Sequence, residues 1–296
     1  MEFEKLQKKS IRFITYRDPK YPKKLLDMEN PPYALYVKGS LPDGNIPAIA
    51  IVGARQCSPY GEYYALEYAR TLSSAGIQIV SGMARGIDGI AQRGALDGSG
   101  RSFGVLACGV DICYPQEHIG LYMDLQEQGG ILSEQPIGAP PLAFHFPARN
   151  RIISGLSDAI LIIEAKENSG SLITAHIALE QGKDIYALPG PVDSMLSKGC
   201  NQLIKDGAGV LLSPEDLLKE LHFFCEKKME YLKGNKIMLE TTENMVYSRL
   251  CLQPKNVNQL IEELEIPIPS LMNALISLEL MGLIKEITKN YYVKMK

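Results

Sequence analysis

The chain has 296 residues, 46% of them hydrophobic and 22% charged, which is enough for one large α/β domain and a small second domain. The formal net charge of −3 excludes a general attraction to nucleic acid or acidic membranes, so a polyanion site has to be a local basic patch. The six cysteines form neither a CxxC pair nor a cluster with metal-ligand spacing, and no run of 18 apolar residues occurs; we therefore expect a cytoplasmic protein without a metal site or membrane segment.

Residues 1–45 are expected to be a short lead-in packed on the edge of the main domain. Four prolines lie between residues 19 and 32, and the turn-like sequence LPDGN follows at 41–45. Because proline fixes φ and removes a backbone donor, long helices and strands are disfavoured here.

Six short apolar runs follow, with helical patterns between them. The runs are AIAIV (48–52), IQIVS (77–81), FGVLA (103–107), GGILS (129–133), AILIIEA (159–165) and DIYALP (184–189). Their continuous apolar character predicts strands buried on both faces of a parallel sheet. Crossover helices are predicted over 59–75, 86–98, 116–127, about 147–156 and 171–182. Residues 46–222 therefore read as a doubly wound, mostly parallel α/β domain.

The C-terminal part of the chain reads as a separate module. Ser213 and Pro214 have the N-cap and first-turn signature of a helix, and the charged stretch at 223–240 is interpreted as a linker. Residues 241–296 contain three helical patterns followed by ITKNYYVK, a turn with short strands. Three helices and a hairpin predict a winged helix.

Two glycine-containing turns follow successive strands of the predicted sheet. They are VGAR at 52–55, with Gly53 and Arg55, and SGMARGID at 81–88, with Ser81, Gly82, Arg85 and Gly86. A glycine turn between a strand and a helix aims backbone N–H groups at an anion, and both turns lie at the carboxyl edge of a parallel sheet. Neither is a GxGxxG or GxxxxGK[ST] sequence, so no nucleotide cofactor is predicted. A structural role for each turn stays open, although the two arginines favour a polyanion.

A third stretch, FHFPARNRIISGLSDAI (144–160), combines aromatic and basic residues at a helix start. Its members of interest are Phe144, Phe146, Arg149, Asn150 and Arg151. Aromatic rings stack bases and neighbouring arginines follow phosphates, so the composition is typical of a single-strand binding surface. The alternative is that the phenylalanines are core residues and the arginines pair with Asp158 or Glu164.

Two later turns add small or basic residues after strands: Ser169 and Gly170 in the first, Lys198 and Asn201 in the second. Catalytic patterns are weak by comparison. The four histidines have no nucleophile in an obvious arrangement, and no GxSxG or HExxH sequence occurs. Asp88 and Glu164 could form an acid/base pair, but Asp88 is more simply a partner of the helix dipole. We therefore predict a protein that is not an enzyme.

The ordered set of motifs resembles the DNA-processing protein A family (DprA, also called Smf). The likeness covers about residues 20–215 through VGAR (52–55), SGMARGID (81–88), FPARNRIISGLS (146–157), SGSLITA (169–175) and SKGCNQLIKDGA (197–208). It implies an extended Rossmann fold that binds single-stranded DNA. It further implies protection of incoming strands during natural transformation, loading of the RecA recombinase, and a homodimer.

The resemblance places the strand-binding pocket at Arg55, the backbone of 81–86, Phe146, and Arg149 with its two neighbours, with Lys198 and Asn201 as further candidates. Relatives often carry a longer helical domain before the sheet, so residues 1–45 look like a truncated version of it. Between Asn256 and Ile284 the winged helix has four glutamates and no lysine or arginine. Because DNA readers need cationic side chains, we predict that this module contacts protein instead, although the basic wing, with Lys285, Lys289 and Lys294, could touch a phosphate.

Two rival functions remain. The first is a nucleotide phosphoribohydrolase of the lysine-decarboxylase-like family, which has a similar fold and a PGGxGT-type loop followed by a glutamate. The corresponding stretch here reads NSGSLITAHIALE, with serine in the glycine doublet and Glu180 six residues after Thr174. The second is an assembly scaffold whose affinity for DNA is incidental.

Overall fold

The computed structural model describes residues 2–221, 241–250, 254–264, 266–281 and 283–294. The chain divides into two compact units, Met1–Lys228 and Met229–Lys296, and each has a hydrophobic core of its own. The segment predicted to be a linker, residues 223–240, lies outside the described residues. No helix in the described part of the chain is both long and apolar enough to span a membrane.

In the described residues, the first unit contains one nine-stranded sheet. Its strands are β1 (Arg12–Thr15), β2 (Ala34–Gly39), β3 (Ala48–Val52), β4 (Gln78–Ser81), β5 (Ser102–Val105), β6 (Gly129–Ser133), β7 (Ala159–Ile162), β8 (Asp184–Ala187) and β9 (Gly209–Val210). They lie in the order β1-β2-β6-β5-β4-β3-β7-β8-β9. All pairings from β6 to β9 are parallel, whereas β2 pairs antiparallel with both β1 and β6.

Helices connect these strands and cover both faces of the sheet. They are α1 (Glu2–Lys8), α2 (Pro59–Ser74), α3 (Ile87–Asp97), α4 (Ile119–Gln128), α5 (His145–Leu156), α6 (Gly170–Glu180), α7 (Lys198–Lys205) and α8 (Pro214–Glu220). Short 3-10 helices occupy Lys23–Leu25 and Gln116–His118. The predicted mostly parallel, doubly wound sheet is thus confirmed.

The central strand β3 shows why the apolar runs are continuous. Ala48, Ala50 and Val52 belong to the core on the side of α5, α6 and α7, while Ile49 and Ile51 belong to the core under α2 and α3. Since successive side chains of a strand point to opposite faces, both sets have to be apolar when both faces are covered.

The lead-in at 1–45 contributes to the sheet itself. Residues 12–15 and 34–39 are β1 and β2, and the first compact unit begins at Met1, so residue 45 is not a boundary between compact units. Between them Tyr21 donates from its hydroxyl to the carbonyl oxygen of Pro32 (2.6 Å), which holds the proline-containing loop against the core. The N-terminal helix α1 and helix α7 were not among the predicted elements.

The chain order reverses beside β3. From β3 the chain proceeds through β4 and β5 to β6, and it then returns to β7 on the other side of β3. In open α/β sheets the loops that leave the carboxyl ends of strands at such a reversal diverge and leave a crevice. The turns after β3, β4 and β7 therefore surround one site.

The second unit has the elements of a winged helix. Its helices are α9 (Thr241–Arg249), α10 (Val257–Leu264) and α11 (Ile268–Leu280), and its sheet consists of β10 (Lys255–Asn256), β11 (Ile284–Thr288) and β12 (Tyr291–Lys294). Strand β12 lies between β10 and β11 and is antiparallel to both. The predicted three helices and hairpin are confirmed.

Candidate nucleic-acid interface

A cavity of about 820 Å³ lies at the carboxyl edge of the sheet, where the chain order reverses. Five chain segments line it: the turn after β3, the turn after β4, the segment between β5 and α4, the segment that leads into the start of α5, and the loop from β7 into α6. The predicted site residues among the lining are Gly53, Arg55, Arg85, Phe146, Arg149, Asn150, Ser169 and Gly170. A smaller recess of about 50 Å³ adds Gly82.

Arg55, which is exposed, and Phe146, which is half-buried, lie together in the cavity. The Arg55 guanidinium carbon lies 5.2 Å from the centre of the Phe146 ring, a cation–π geometry. The Phe146 ring in turn lies 5.9 Å from the ring of Tyr114, which also lines the cavity. A cation beside two aromatic rings suits a ligand that carries both a phosphate and a base.

Arg85 lines the same cavity but is already paired. Its guanidinium donates from Nε and Nη2 to the two carboxylate oxygens of Glu117, at 2.6 and 2.9 Å. Both side chains are solvent-exposed, so the bond is worth little to stability, yet it offsets the charge that Arg85 offers a ligand. The hydrogen bond to Arg85 lowers the pKa of Glu117, which therefore stays ionised at neutral pH.

The glycine turns hold an anion that belongs to the protein. The buried carboxylate of Asp88 accepts hydrogen bonds from the backbone N–H groups of Gly53, Gly82 and Ala84. The N–H of Gly82 lies 3.1 Å from Asp88 Oδ2. Burial raises the pKa of Asp88, while the charge of Arg149 and the three backbone donors act in the opposite direction. Of the 81–86 backbone donors predicted to contact a phosphate, those of Gly82 and Ala84 are used internally by Asp88.

Packing accounts for two of the glycines. A Cβ atom on Gly53 would lie 2.7 Å from Ile87 Cγ1, and Gly86, at φ 68°, has no room for one against the carbonyl oxygen of Ala54. Positive φ and close backbone approach both favour glycine. Ser81 is fully buried and donates from Oγ to the carbonyl oxygen of Ile51 (2.6 Å). Ser81 and Gly86 thus shape the turn and do not line the cavity.

Arg149 supports the turn from below. Its side chain is only 7% exposed, and Nη1 donates to the carbonyl oxygens of Gly82 (2.7 Å) and Val105. Burial lowers the pKa of Arg149 to about 10, against the opposing charge of Asp88, so the guanidinium remains charged at neutral pH. Arg149 forms part of the cavity floor, where its Nη1 is satisfied by the backbone, and the predicted phosphate contact of Arg149 stays a prediction.

Arg151 lies outside the cavity. Its Nη2 donates to both carboxylate oxygens of Glu134 (2.7 and 2.6 Å), and Nη1 donates to the carbonyl oxygen of Asn30 (2.9 Å). Residues two apart on a helix point to different sides, so the side chains of Arg149 and Arg151 lie on different sides of α5. Arg151 pairs with Glu134 and not with Asp158 or Glu164, and a phosphate contact by Arg151 stays a prediction.

The start of α6 forms the opposite wall. Ser169 is its N-cap residue, Gly170 its first helical residue, and Asn150 links α5 to α6 through a long contact of its side-chain amide with the Gly170 carbonyl oxygen (3.5 Å). A helix N-terminus presents unpaired N–H groups and a partial positive charge to the cavity. Lys166, three residues before Ser169, is exposed and also lines this wall.

Three other predicted residues lie elsewhere. Lys198 is 3.8 Å from a carboxylate oxygen of Glu167, and Asn201 uses its amide to bond both the N–H and the carbonyl oxygen of Gly190. Neither lines the cavity, because α7 begins beyond it. Phe144 is 69% exposed and packs against the ring of His145, outside the cavity lining.

Lys166 and Tyr114 line the cavity, although neither is among the site residues predicted from the sequence. Lys166 belongs to the same β7-to-α6 loop as Ser169, so the rule that ligands bind at carboxyl ends of strands could have identified it. Tyr114 lies in an irregular segment between β5 and α4, where no periodicity indicates its direction. In the described ranges, Arg55 and Lys166 form no ion pair, and Asp88 is the single acid among the lining residues.

The residues considered for catalysis have structural partners. Glu164 is buried and accepts from both the N–H and the hydroxyl of Ser58, the N-cap residue of α2 (2.9 and 2.5 Å). Asp88 accepts hydrogen bonds from the backbone N–H groups of the two glycine turns. Within the described residues, no group of three or more histidine, cysteine, aspartate or glutamate side chains is placed to hold a metal ion.

The chain resembles proteins of known family in sequence and structure. Residues 12–222 match the family model of DNA recombination-mediator protein A, and residues 236–287 match the DprA winged helix domain. Protein Smf of Escherichia coli is 39% identical over 287 residues, which cover 92% of this chain and 74% of that protein.

Two solved structures are also similar. The X-ray structure of DNA processing protein A from Streptococcus pneumoniae superposes with a TM-score of 0.69 at 37% identity, over 74% of this chain and 78% of that one. The second is a structure of DNA processing protein A from Helicobacter pylori that concerns its single-stranded DNA binding mode. It superposes with a TM-score of 0.64 at 31% sequence identity, over 71% of this chain and 95% of that one. The chain belongs to the DNA recombination-mediator protein A family.

Proposed function

We propose that the cavity binds the backbone and one base of single-stranded DNA. The observation that supports this most directly is the position of Arg55 on the ring of Phe146, beside the cationic Lys166 and the N-terminus of α6. Phosphates would contact Arg55, Lys166 and the free N–H groups of α6, and a base would stack on Phe146. The Helicobacter pylori relative, whose structure concerns single-stranded DNA binding, supports the same ligand.

A single strand fits this site better than a duplex. The Phe146 ring is partly buried within a concave pocket, and a base reaches such a ring only when it is unstacked from a partner strand. Two cations without an acidic partner correspond to about two neutralised phosphates. The logarithm of affinity should then fall against the logarithm of salt concentration with a slope of about −1.4.

The proposal extends to the cellular role. The protein would bind incoming strands in the cytosol, protect them, and transfer them to the RecA recombinase during natural transformation, acting as a homodimer and without catalysis of its own. Support comes from the family assignment and from the relatives named DNA processing protein. Single-strand binding is the step that the cavity chemistry carries.

The test is fluorescence anisotropy of a labelled single strand and of the matching duplex across a salt series. We expect tight, salt-sensitive binding to the single strand that Arg55→Ala weakens by about tenfold, since it removes a phosphate contact and the cation–π pair. Arg101→Ala is the matched control: it removes the same charge from an exposed residue immediately before β5, at the opposite edge of the sheet.

Equal binding to duplex, or equal losses from Arg55→Ala and Arg101→Ala, would contradict the proposal. The rival phosphoribohydrolase function has its own readout, release of free base from a nucleoside monophosphate. The geometry gives that rival little support, because Glu180 is exposed at the last residue of α6, the end farthest from the cavity. The scaffold alternative would be favoured by a variant that binds no strand yet still recruits the recombinase.

A further inference from the structure

An exposed aromatic pair lies at the edge of the sheet, far from Phe146 in sequence and in strand order. The rings of Tyr16 and Tyr33 meet edge to face with centres 5.2 Å apart. Tyr33 is 69% exposed and Tyr16 is 37% exposed. Aromatic side chains this open to solvent are available for contact with a ligand that has a flat, apolar face.

The backbone holds this pair rigidly. The N–H of Tyr16 donates to the carbonyl oxygen of Tyr33 (3.0 Å), which extends the β1–β2 ladder by one bond. Tyr33 also follows Pro31 and Pro32, and the Pro32 carbonyl oxygen accepts from buried Tyr21. A ring on a fixed backbone loses little conformational freedom when a ligand stacks on it.

A cation accompanies the pair. Arg17 donates from Nε to the hydroxyl of Tyr16 (3.2 Å), and its guanidinium carbon lies 5.6 Å from the centre of that ring. Arg17 is exposed and forms no ion pair with any residue in the described ranges. The combination of aromatic ring and unpaired arginine repeats the chemistry of Phe146 and Arg55.

Strand direction places the pair on the same sheet edge as the cavity. Because β1 and β6 are both antiparallel to β2, β1 runs in the same direction as β3. Tyr16 follows the last residue of β1 and Tyr33 precedes β2, so both lie at the carboxyl edge. Five strand spacings separate β1 from β3, which is about 24 Å along that edge.

The surface between the two places is compatible with a strand. Phe144, exposed and outside the cavity, lies near the end of β5, since the Nδ1 of neighbouring His145 is 3.2 Å from the carbonyl oxygen of Ala107. Farther along, Glu134 is neutralised by Arg151, which also bonds the carbonyl oxygen of Asn30. At a stacked rise of about 3.4 Å, 24 Å corresponds to about seven nucleotides, and an unstacked, extended strand covers it with fewer; both lengths are within the usual footprint of a single-strand binding domain.

We propose that Tyr33 and Tyr16, with Arg17, form a second base-stacking subsite, occupied by the same DNA strand that enters the Phe146 cavity. This inference rests on the proposed function. It predicts that oligonucleotides too short to cover the 24 Å use only the cavity. Longer ones gain affinity from the tyrosine pair.

The test compares Tyr33→Ala with wild type on labelled oligothymidylates of three and twenty nucleotides, dT3 and dT20. We expect Tyr33→Ala to weaken dT20 binding by about fivefold or more and to change dT3 binding by less than about twofold, as one base loses its stacking partner. Tyr33→Trp should retain tight dT20 binding, because any aromatic face serves. Tyr291→Ala, which removes an exposed tyrosine from the winged-helix unit, is the matched control.

The outcomes separate this subsite from the cavity. If Arg55→Ala weakens dT3 binding while Tyr33→Ala leaves dT20 binding equal to wild type, the second subsite is overturned and the cavity proposal stands. If wild type binds neither oligonucleotide, both are overturned. Quenching of 2-aminopurine placed at one end of a twenty-nucleotide strand, lost in Tyr33→Ala and kept in Tyr33→Trp, would support the stacking contact directly.

Discussion

The carboxyl edge of the sheet and helix α11 of the winged-helix unit carry opposite surface chemistry. The sheet edge offers Arg55 and Lys166, neither of which forms an ion pair within the residues that the structure describes, next to aromatic rings. Helix α11 contains no lysine or arginine and exposes Ile268, Ile276 and Leu280, the last of them 85% exposed. The winged helix is a fold often associated with DNA binding, yet helix α11 of this winged helix lacks the cationic side chains that contact DNA. Surface chemistry, and not fold, has to decide function.

The winged-helix surface is organised for apolar contact. Ile268, Ile276 and Leu280 are spaced by eight and four residues, so they lie along one side of α11, while Met272 between them packs against the core of the unit. The nearby cation Lys255 is paired with Glu263 (2.6 and 2.8 Å). This pattern agrees with the prediction that the module contacts a protein, and it leaves Lys285 and Lys289 on the wing as exposed cations.

Arg149 holds the turn after β4 in place, and we expect its removal to have the largest effect, a loss of folding stability. Arg149→Ala leaves the carboxylate of Asp88 buried without its cationic neighbour and the carbonyl oxygens of Gly82 and Val105 without their donor. Leaving a buried polar group without its partner costs roughly 1–3 kcal/mol, so with two such carbonyl groups we expect the free energy of unfolding, measured with urea, to fall by about 2 kcal/mol or more. A loss below about 1 kcal/mol would contradict this structural role of Arg149.

A smaller effect, on DNA binding, is expected from substitution of Lys166, which is proposed to contact a phosphate. Lys166→Ala should weaken single-strand binding about threefold to fivefold at low salt and make the salt slope shallower by about 0.7, since one phosphate contact is lost. Lys198→Ala is the control, because Lys198 is near Glu167 and lies outside the cavity. Equal losses from both variants would show that only general positive charge matters.

A still smaller effect, of opposite sign, should come from releasing Arg85. Glu117→Gln removes the carboxylate that accepts both Arg85 bonds and frees a third cation at the cavity. We expect single-strand affinity to rise about twofold to threefold, with a salt slope steeper by about 0.7. Unchanged affinity in anisotropy titrations would mean that Arg85 stands outside the path of the strand.

The smallest effect on single-strand affinity is expected from deletion of the winged-helix unit. Removing residues 236–296 should change single-strand affinity by less than about twofold, because α11 offers no cation to DNA. The measurement is the same anisotropy titration on the shortened chain, with circular dichroism to check that the first unit is folded. A loss of tenfold or more would assign the winged helix a direct role in DNA binding.

Much of the fold followed from the sequence, because its signals were local. The apolar runs of β3 to β8 predicted a buried parallel sheet, and Ser213 with Pro214 marked the start of α8, where the serine hydroxyl accepts from the N–H of Asp216. Helix α7 was missed because its sequence, KGCNQLIK, follows a proline- and glycine-containing stretch that reads as a loop. Strands β1 and β2 were hidden by the prolines around them.

The site was predicted in position but only partly in detail. Sheet topology brings Arg55, Phe146 and Ser169 together, as chain order implied. The direction of each arginine was not predictable, because it depends on partners distant in sequence: Glu117 for Arg85, Glu134 for Arg151, and the carbonyls of Gly82 and Val105 for Arg149. One-dimensional spacing does not encode such long-range choices.

The internal carboxylate of Asp88 changes what the motif SGMARGID means as a diagnostic. Gly82 donates its N–H to Asp88, and its carbonyl oxygen accepts from Arg149, which lies outside the motif. These bonds keep the turn in shape whether or not a ligand is present. A chain could lose its affinity for DNA and retain every letter of that motif for reasons of stability alone. An intact SGMARGID motif therefore indicates that the turn is folded, and not that DNA is bound. To find related sequences that retain DNA binding, one should ask whether cationic residues occur at the positions of Arg55 and Lys166.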